Sequence, residues 1–557
     1  MHSRTHTLTA NVIESQEPSI KGSGAVNENL SAHFSRSTER RSRIIVPSIS
    51  FLTVLCVIVG GYFRVANVDR ALYCVDEMKT SLTLAGAKIF DFSHKCYEHD
   101  VKPDQLRSLI NMQTADWKST STALWENEPF NPPLYFLMAH WWAERNGNLL
   151  KNIRSLSAYI SLLEIPCMYV LALELFACPI TAMLSAALIA TSPFHLLAAQ
   201  EARPYSLWTV MTILSLIFLA RSMKQKTIPN LVGFGLSALG LAFTHLSSLR
   251  IFLAMITSAM LQDRFRLKSS TMVLVSIASI AVLAEAAWIV NMQSYLPLDS
   301  QGITWFQNHA GIGSSIKSWF GFLTGLVWVS NDNDTFSPIV SISTFLIEVA
   351  AAIALCRTAP KNSKILIGST FIVCALSMLL PDLLFGGNQS KNLRYMVPIA
   401  LCIQLSAAYW LARWNLSDRS FRKTAFTLIT LIALLGTQIV SCRNIADSHI
   451  RSTWRPFEQF EVKATSILNG CHNPVLLGTQ PNNGRIAVLM CLSQFLNPNV
   501  TINFASGATY PDVPTGHSDV FAWCPTDDAL AKFSQQGYTI SPAAEGLKTD
   551  QLCRLKK

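Results

Sequence analysis

Charge is what this sequence has least of. Of its 557 residues only 14% are Asp, Glu, Lys or Arg, where a soluble chain carries about a quarter. With 50% of residues hydrophobic and a mean hydropathy of +0.30, that scarcity excludes both a disordered chain and a string of soluble domains. The chain also lacks the alternating apolar segments from which membrane barrels are built. It has no Cys-x-x-Cys pair, which removes the usual structural zinc site. No internal repeat is visible, which weakens a secondary-transporter reading. What is present instead is a series of continuous apolar runs of about 18–22 residues, each able to cross a hydrocarbon core of ~30 Å as a helix. The pattern is that of an all-α polytopic membrane protein.

The formal net charge is +10, but the cations fall in short clusters between apolar runs. That is the positive-inside pattern of a protein in a lipid bilayer, and it argues against nucleic acid as a partner. Residues 1–43 are polar, end in Arg36, Arg40, Arg41 and Arg43, and read as a disordered cytoplasmic tail. A membrane domain is expected over 44–448, with a large outer loop at about 66–152. Eleven spans are expected, at about 44–65, 153–176, 180–198, 205–221, 230–246, 249–262, 271–293, 336–356, 364–381, 394–412 and 424–441. The ten-residue apolar stretch 133–142 is too short to cross and reads as an interfacial helix. With it excluded, the clusters around Arg221, Arg264, Arg357 and Arg413 all fall inside.

Residues 449–557 then lie outside as a small α/β domain. Strands are expected at 474–478, 500–504 and 520–524, with helices at 486–495 and at 527–535 behind a Thr526 cap. Six cysteines (Cys74, Cys96, Cys471, Cys491, Cys524, Cys553) fall in segments placed outside. Their even number leaves disulfides open, with no pairing readable from sequence. The expected location is the plasma (inner) membrane, multi-pass, N-terminus cytoplasmic and C-terminal domain extracytoplasmic.

Four constellations gather on the outer face. Tyr73-Cys74-Val75-Asp76-Glu77-Met78-Lys79 follows the first span; its carboxylates either cap a helix or supply a general base. Gln200-Glu201-Ala202-Arg203-Pro204-Tyr205 puts ionisable groups at the hydrocarbon edge, where they form an interfacial ion pair or face a polar cavity. Glu128-Pro129-Phe130-Asn131-Pro132-Pro133-Leu134-Tyr135 opens the short helix. Lys391-Asn392-Leu393-Arg394-Tyr395 lies at the mouth of a late span, as a headgroup anchor or a cavity cation. His245, Asp332 and Asp334 share this face. A divalent metal between Glu201 and His245 is possible, although no spacing demands one.

Read in order, with Arg154-Ser155-Leu156, Ser192-Pro193-Phe194-His195 and Arg394-Tyr395-Met396-Val397-Pro398 added, these motifs resemble the membrane glycosyltransferases of the GT-C fold. The resemblance is to the bacterial group related to protein O-mannosyltransferases and aminoarabinose transferases (glycosyltransferase family 39-like), and covers about residues 45–410. It implies an enzyme that takes a sugar from a polyprenyl-phosphate-linked donor and passes it to a lipid, glycan or protein acceptor. It also implies that Asp76 is the catalytic base, Glu201 a second essential acid, and Lys79 and Arg394 phosphate ligands. Glu77, Asn131, Tyr135, Gln200, Arg203, Tyr205 and Tyr395 complete the expected substrate contacts. Asn131 stands where the family motif has His; it can donate a hydrogen bond but carries no charge.

The chemistry fits these residues. A sugar on a polyprenyl phosphate carries its own leaving group, so the site needs a base for the acceptor hydroxyl and cations for the departing phosphate. One displacement with one base inverts the anomeric centre. The rival readings are a glycolipid transporter or flippase, which needs polar residues along a path between both faces, and a non-catalytic envelope assembly protein. Scattered Glu164, Glu174, Glu285 and Glu348 make a poor path.

Overall fold

Helices dominate the computed structural model, which describes residues 47–71, 73–88, 99–112, 115–266, 268–293, 311–329, 337–385, 389, 392–417, 421–448, 458–479, 483–505 and 510–557. The chain divides into two compact units, 1–51 and 52–557, and the site lies wholly in the second. Among the described residues, eight helices are long and apolar enough to cross a membrane: Pro47–Val65, Leu150–Phe176, Tyr205–Lys224, Thr271–Met292, Pro338–Thr358, Lys361–Leu384, Leu393–Arg413 and Ala425–Asp447. A ninth appears if the bent pair Pro179–Ala190 and Pro193–Ala199 is one span. This is a multi-pass membrane protein.

The count falls short of the eleven expected for physical reasons. Two segments form helices of only 15 residues, Ile228–Ala242 and Ser248–Gln262. At 1.5 Å per residue each reaches about 22 Å, short of a ~30 Å core. The bent pair turns by 57° because Ser192 precedes a proline and takes an extended ψ of 122°, which interrupts the helix. The short segment after Pro133 is the helix Leu134–Asn146, packed through Tyr135, Phe136, Ala139 and Ala143 against Ile153, Leu156, Leu207 and Val210. A further helix, Ile312–Gly325, occupies a stretch to which the sequence reading assigned nothing.

The C-terminal region builds a six-stranded sheet, ordered β1-β3-β2-β4-β6-β5. The strands are β1 (Asp100–Val101), β2 (Pro474–Thr479), β3 (Thr501–Ala505), β4 (Asp519–Trp523), β5 (Thr539–Pro542) and β6 (Leu552–Lys556). Strands β2, β3 and β4 run parallel, while β1 adds antiparallel to β3 and the β5–β6 pair antiparallel to β4. The three expected strands lie within a residue of β2, β3 and β4. The helix Asp527–Gln535 starts behind Thr526, whose hydroxyl accepts from the Ala529 amide at 3.3 Å.

Strand β1 comes from the first loop, pairing Asp100 with Asn503 and Val101 with Ile502. The loop is therefore bound into the C-terminal sheet. Their shared core joins Tyr73, Met78, Leu82, Val101 and Leu106 to Leu476, Met490, Ile502, Phe521 and Trp523. That core buries one face of the helix Val75–Leu84, the helix on which the site is built. Of the cysteines expected to be open to disulfides, Cys74, Cys471 and Cys553 carry free thiols; Cys96 lies outside the described residues.

Candidate active site

The helix Val75–Leu84 begins with a capping box, in which the Cys74 sulfur accepts from the Glu77 amide and the Glu77 carboxylate accepts from the Cys74 amide, both at 3.3 Å. The same carboxylate takes two hydrogen bonds from Arg154, Nε to Oε1 and Nη2 to Oε2, each at 2.7 Å. The Ala202 amide donates to it at 2.9 Å. Arg154 also donates to the Val68 and Ala71 carbonyls at 2.8 Å. A buried, two-pronged ion pair of this kind persists only because every group in it is satisfied. It ties the end of the first span, the start of the Asp76 helix and the 201–204 turn to one point.

With that frame set, Asp76 faces a cavity of about 460 Å³ whose wall includes Asn131, Arg203, Tyr205, His245, Arg250, Arg394 and Tyr395. Arg394 Nη1 lies 2.5 Å from Asp76 Oδ2 and 3.4 Å from Glu201 Oε1, so one guanidinium joins the two carboxylates. Arg203 Nη1 donates to the Asp76 carbonyl and to Thr80 Oγ1, each at 3.2 Å, and pairs with buried Glu128. The Arg394 guanidinium sits 5.5 Å over the Tyr205 ring. His245 stacks on Trp208 at 4.7 Å and meets Tyr395 edge-on at 5.2 Å. Its Nδ1 accepts from the Ser247 amide at 3.0 Å, so the proton resides on Nε2 and the ring is neutral.

The two acids experience opposite fields. Burial pushes Asp76 up, but the charges of Arg394, Arg203 and Lys79 outweigh it and hold the carboxyl well below the usual range. Glu201 is almost fully buried, and burial raises it to about 7 despite Arg394, with Glu77 and Asp76 adding repulsion. Near neutral pH, Asp76 is a carboxylate while Glu201 is divided between its two forms. Their environments thus push two neighbouring acids in opposite directions.

The expected residues fall into two sets. Asp76, Asn131, Arg203, Tyr205, Arg394 and Tyr395 line the cavity, with Glu201 reached through Arg394. Glu77 does not line it, because its oxygens are committed to the frame. Gln200 braces the first span, donating to the Phe63 and Ala66 carbonyls at 2.7 Å. Tyr135 is buried, its hydroxyl 2.9 Å from Ser157 Oγ. Lys79 is partly buried and acts on Asp76 through its charge. Lys391, Asp332 and Asp334 lie outside the described residues.

Sequence reasoning missed Arg250, Gln389 and Ser247, all on the cavity wall. The signal for Arg250 was an arginine in the first turn of an apolar segment, usually a headgroup anchor. For a metal, no group of three His, Cys, Asp or Glu side chains is gathered among the described residues. Between Asp76 and Glu201 it is Arg394 that bridges.

No family model and no curated protein matches this sequence. Among solved structures, the backbone is similar to ArnT from Cupriavidus metallidurans bound to undecaprenyl phosphate, at 11% identity and a TM-score of 0.46, covering 91% of this chain and 97% of that one. The apo form of the same protein gives 12% identity and a TM-score of 0.47, with 92% and 98% covered. AglB from Archaeoglobus fulgidus, an oligosaccharyltransferase in complex with an inhibitory peptide and a dolichol-phosphate, gives 12% identity and a TM-score of 0.41; the match covers 80% of this chain and 59% of that one.

Proposed function

We propose that the protein is an inverting glycosyltransferase. It moves a sugar from a polyprenyl-phosphate-linked donor to a hydroxyl of a lipid, glycan or protein acceptor, on the outer face of the plasma (inner) membrane. The observation that supports this reading is an ionised carboxylate, Asp76, on the wall of a cavity rich in guanidinium groups. The acceptor oxygen attacks the anomeric carbon as the bond to the phosphate oxygen breaks. The acceptor proton passes to Asp76, and the phosphate leaves with one more negative charge than it had in the donor. Cations on the cavity wall stabilise that charge where it develops.

A carboxylate held far below its ordinary pKa is a weak base, yet it suffices here. The attacking hydroxyl becomes strongly acidic as its oxygen bonds to the sugar, so the proton moves late and needs only an acceptor in place. The aromatic wall of Tyr205, His245 and Tyr395 gives a sugar ring flat apolar surface, while Asn131 supplies a neutral donor and acceptor. Inversion follows from a single displacement.

The test is sugar transfer from a polyprenyl-phosphate donor by protein reconstituted in liposomes. Asp76→Asn should lower turnover by roughly 10²–10⁴-fold at unchanged folding. Asp76→Glu should recover part of it. Lipid-linked sugar crossing the bilayer equally fast in Asp76→Asn and wild-type liposomes, with no transfer by either, would establish the transporter reading instead.

A further inference from the structure

Four ionisable or polar side chains, Arg64, Glu164, His195 and Gln404, are sealed inside the membrane domain, none of them on the cavity wall. The transfer chemistry above uses none of them. They form one chain. Arg64 Nη1 donates to Glu164 Oε2 at 2.9 Å, and His195 Nδ1 lies 3.3 Å from the same oxygen. His195 Nε2 in turn lies 3.2 Å from Gln404 Oε1. Ionisable groups within a bilayer are costly, and those that persist there serve a function.

The chain joins the elements that carry the site. His195 lies on the helix Pro193–Ala199, which is followed directly by Gln200 and Glu201. Gln404 lies on the helix Val397–Ser417, which follows directly on the turn holding Arg394. The bent pair and this late span are therefore linked twice, by His195–Gln404 inside the bundle and by Glu201–Arg394 beside the cavity. The late span also packs along Pro179–Ala190, where Ala182, Ser185, Ala186 and Ala187 are buried. Side chains so small interlock weakly, and lipid supplies no hydrophobic drive that would favour one register over the next. A slip of one residue along the axis is ~1.5 Å. That can carry Arg394 Nη1, 3.4 Å from Glu201 Oε1, out of ion-pair distance. A directional bond to His195 opposes the slip.

We propose that His195 is a positioning residue: held by Glu164 and bound to Gln404, it fixes the late span against the bent pair and so keeps Arg394 on Glu201. Arg64 anchors the same chain to the first span, which precedes the Asp76 helix. The consequence for catalysis rests on the glycosyl-transfer reading above, whereas the consequence for the Arg394–Glu201 contact does not. The Ser192-Pro193-Phe194-His195 motif, unused by the transfer chemistry, thereby gains a role.

The contact can be read through Glu201. Burial, Glu77 and Asp76 push its carboxyl up, while Arg394 and Arg203 pull it down, so losing Arg394 moves its titration to higher pH. Thermal unfolding of the full-length protein in detergent between pH 5 and 10, each variant compared with its own Glu201→Gln counterpart, gives the pH at which Glu201 titrates. That pH should rise by about one pH unit or more in His195→Ala, and by less in His195→Gln, whose amide can still bond Gln404. Gln404→Ala should give the same rise, and it carries the test if His195→Ala does not fold. Thr191→Val, which removes a buried bond to Gln438, should lower stability and leave that pH unchanged. In the transfer assay His195→Ala should lower kcat roughly tenfold or more, the cost of a small displacement of catalytic groups, and His195→Gln should recover part of it. A folded His195→Ala protein in which Glu201 titrates as in the wild type would overturn the assignment, whatever its activity. An equal rise in Thr191→Val would overturn it too, since general loosening would then suffice. The expected rise, together with no sugar transfer by the wild type, would sink the glycosyl-transfer reading and leave His195 as the residue that keeps Arg394 on Glu201.

Discussion

Asp76 and Glu201 share the Arg394 guanidinium, yet only Asp76 is held firmly ionised. Asp76 is partly exposed and sits among three cations, whereas Glu201 is buried, with the Glu77 and Asp76 carboxylates acting against Arg394 and Arg203. This has a measurable consequence. Glu201 is raised from 4.5 to about 7 in the folded protein, so the folded state binds the proton more tightly than the unfolded one. The stability this contributes is complete below the unfolded pKa and is lost as pH rises through the folded value. Relative to Glu201→Gln, the wild type should therefore lose roughly 3 kcal/mol between pH 5 and 9, at 1.36 kcal/mol per unit. Thermal unfolding of the two proteins across that range checks it, and parallel pH profiles would refute it. The two acids were legible as a pair of motifs; their opposite electrostatics were not, because they depend on burial and on Arg394, which lies more than a hundred residues from either acid.

The helices owe their bends and close approaches to small residues and prolines. Gly60, in the first span, lies so near the helix Pro179–Ala190 that a Cβ there would fall 2.2 Å from the Ala190 carbonyl oxygen. A backbone oxygen cannot withdraw as a side-chain tip can. Gly61, one position on, leaves 3.6 Å to Leu162 Cδ2. Gly60→Val should accordingly lower stability by about 1–3 kcal/mol, the range for overpacking, while Gly61→Val should be tolerated. Thermal midpoints of the detergent-solubilised variants decide it, and equal midpoints would mean that the helices do not meet closely at Gly60. The same junction is held by Arg64, which donates to Glu164 at 2.9 Å and to the Ile189 carbonyl at 2.8 Å. Glu164 thus belongs to a locked joint between helices, consistent with its being no part of a transport path. Apolar runs showed where helices would form. They separated 230–246 from 249–262 but could not show that the first of these helices ends at Ala242, since hydropathy does not fix the last turn of a helix.

At the scale of the whole molecule, the C-terminal sheet is a support for the site without contributing a residue to the cavity wall. It takes β1 from the first loop and covers Tyr73, Met78 and Leu82 around the Asp76 helix. A protein truncated after residue 448 would keep every cavity residue yet lose that cover. It should lose most transfer activity and become protease-sensitive within 99–112. A truncated protein that remains active and protected there would show that the loop holds its shape alone.

Composition and the spacing of apolar runs determined by themselves that the chain is a helical membrane protein with a small α/β end, because burial in lipid demands long apolar helices whatever they pack against. Local motifs determined which carboxylates and arginines merit attention. Tertiary structure decided how those charges are shared. Glu77, adjacent to Asp76, was taken by Arg154 into the frame, and Gln200, adjacent to Glu201, became a strut. Arg250, outside every motif, came to the cavity wall beside Gln389. A charge's role depends on which opposite charge reaches it first, and that is a matter of distance in space, which sequence order does not record.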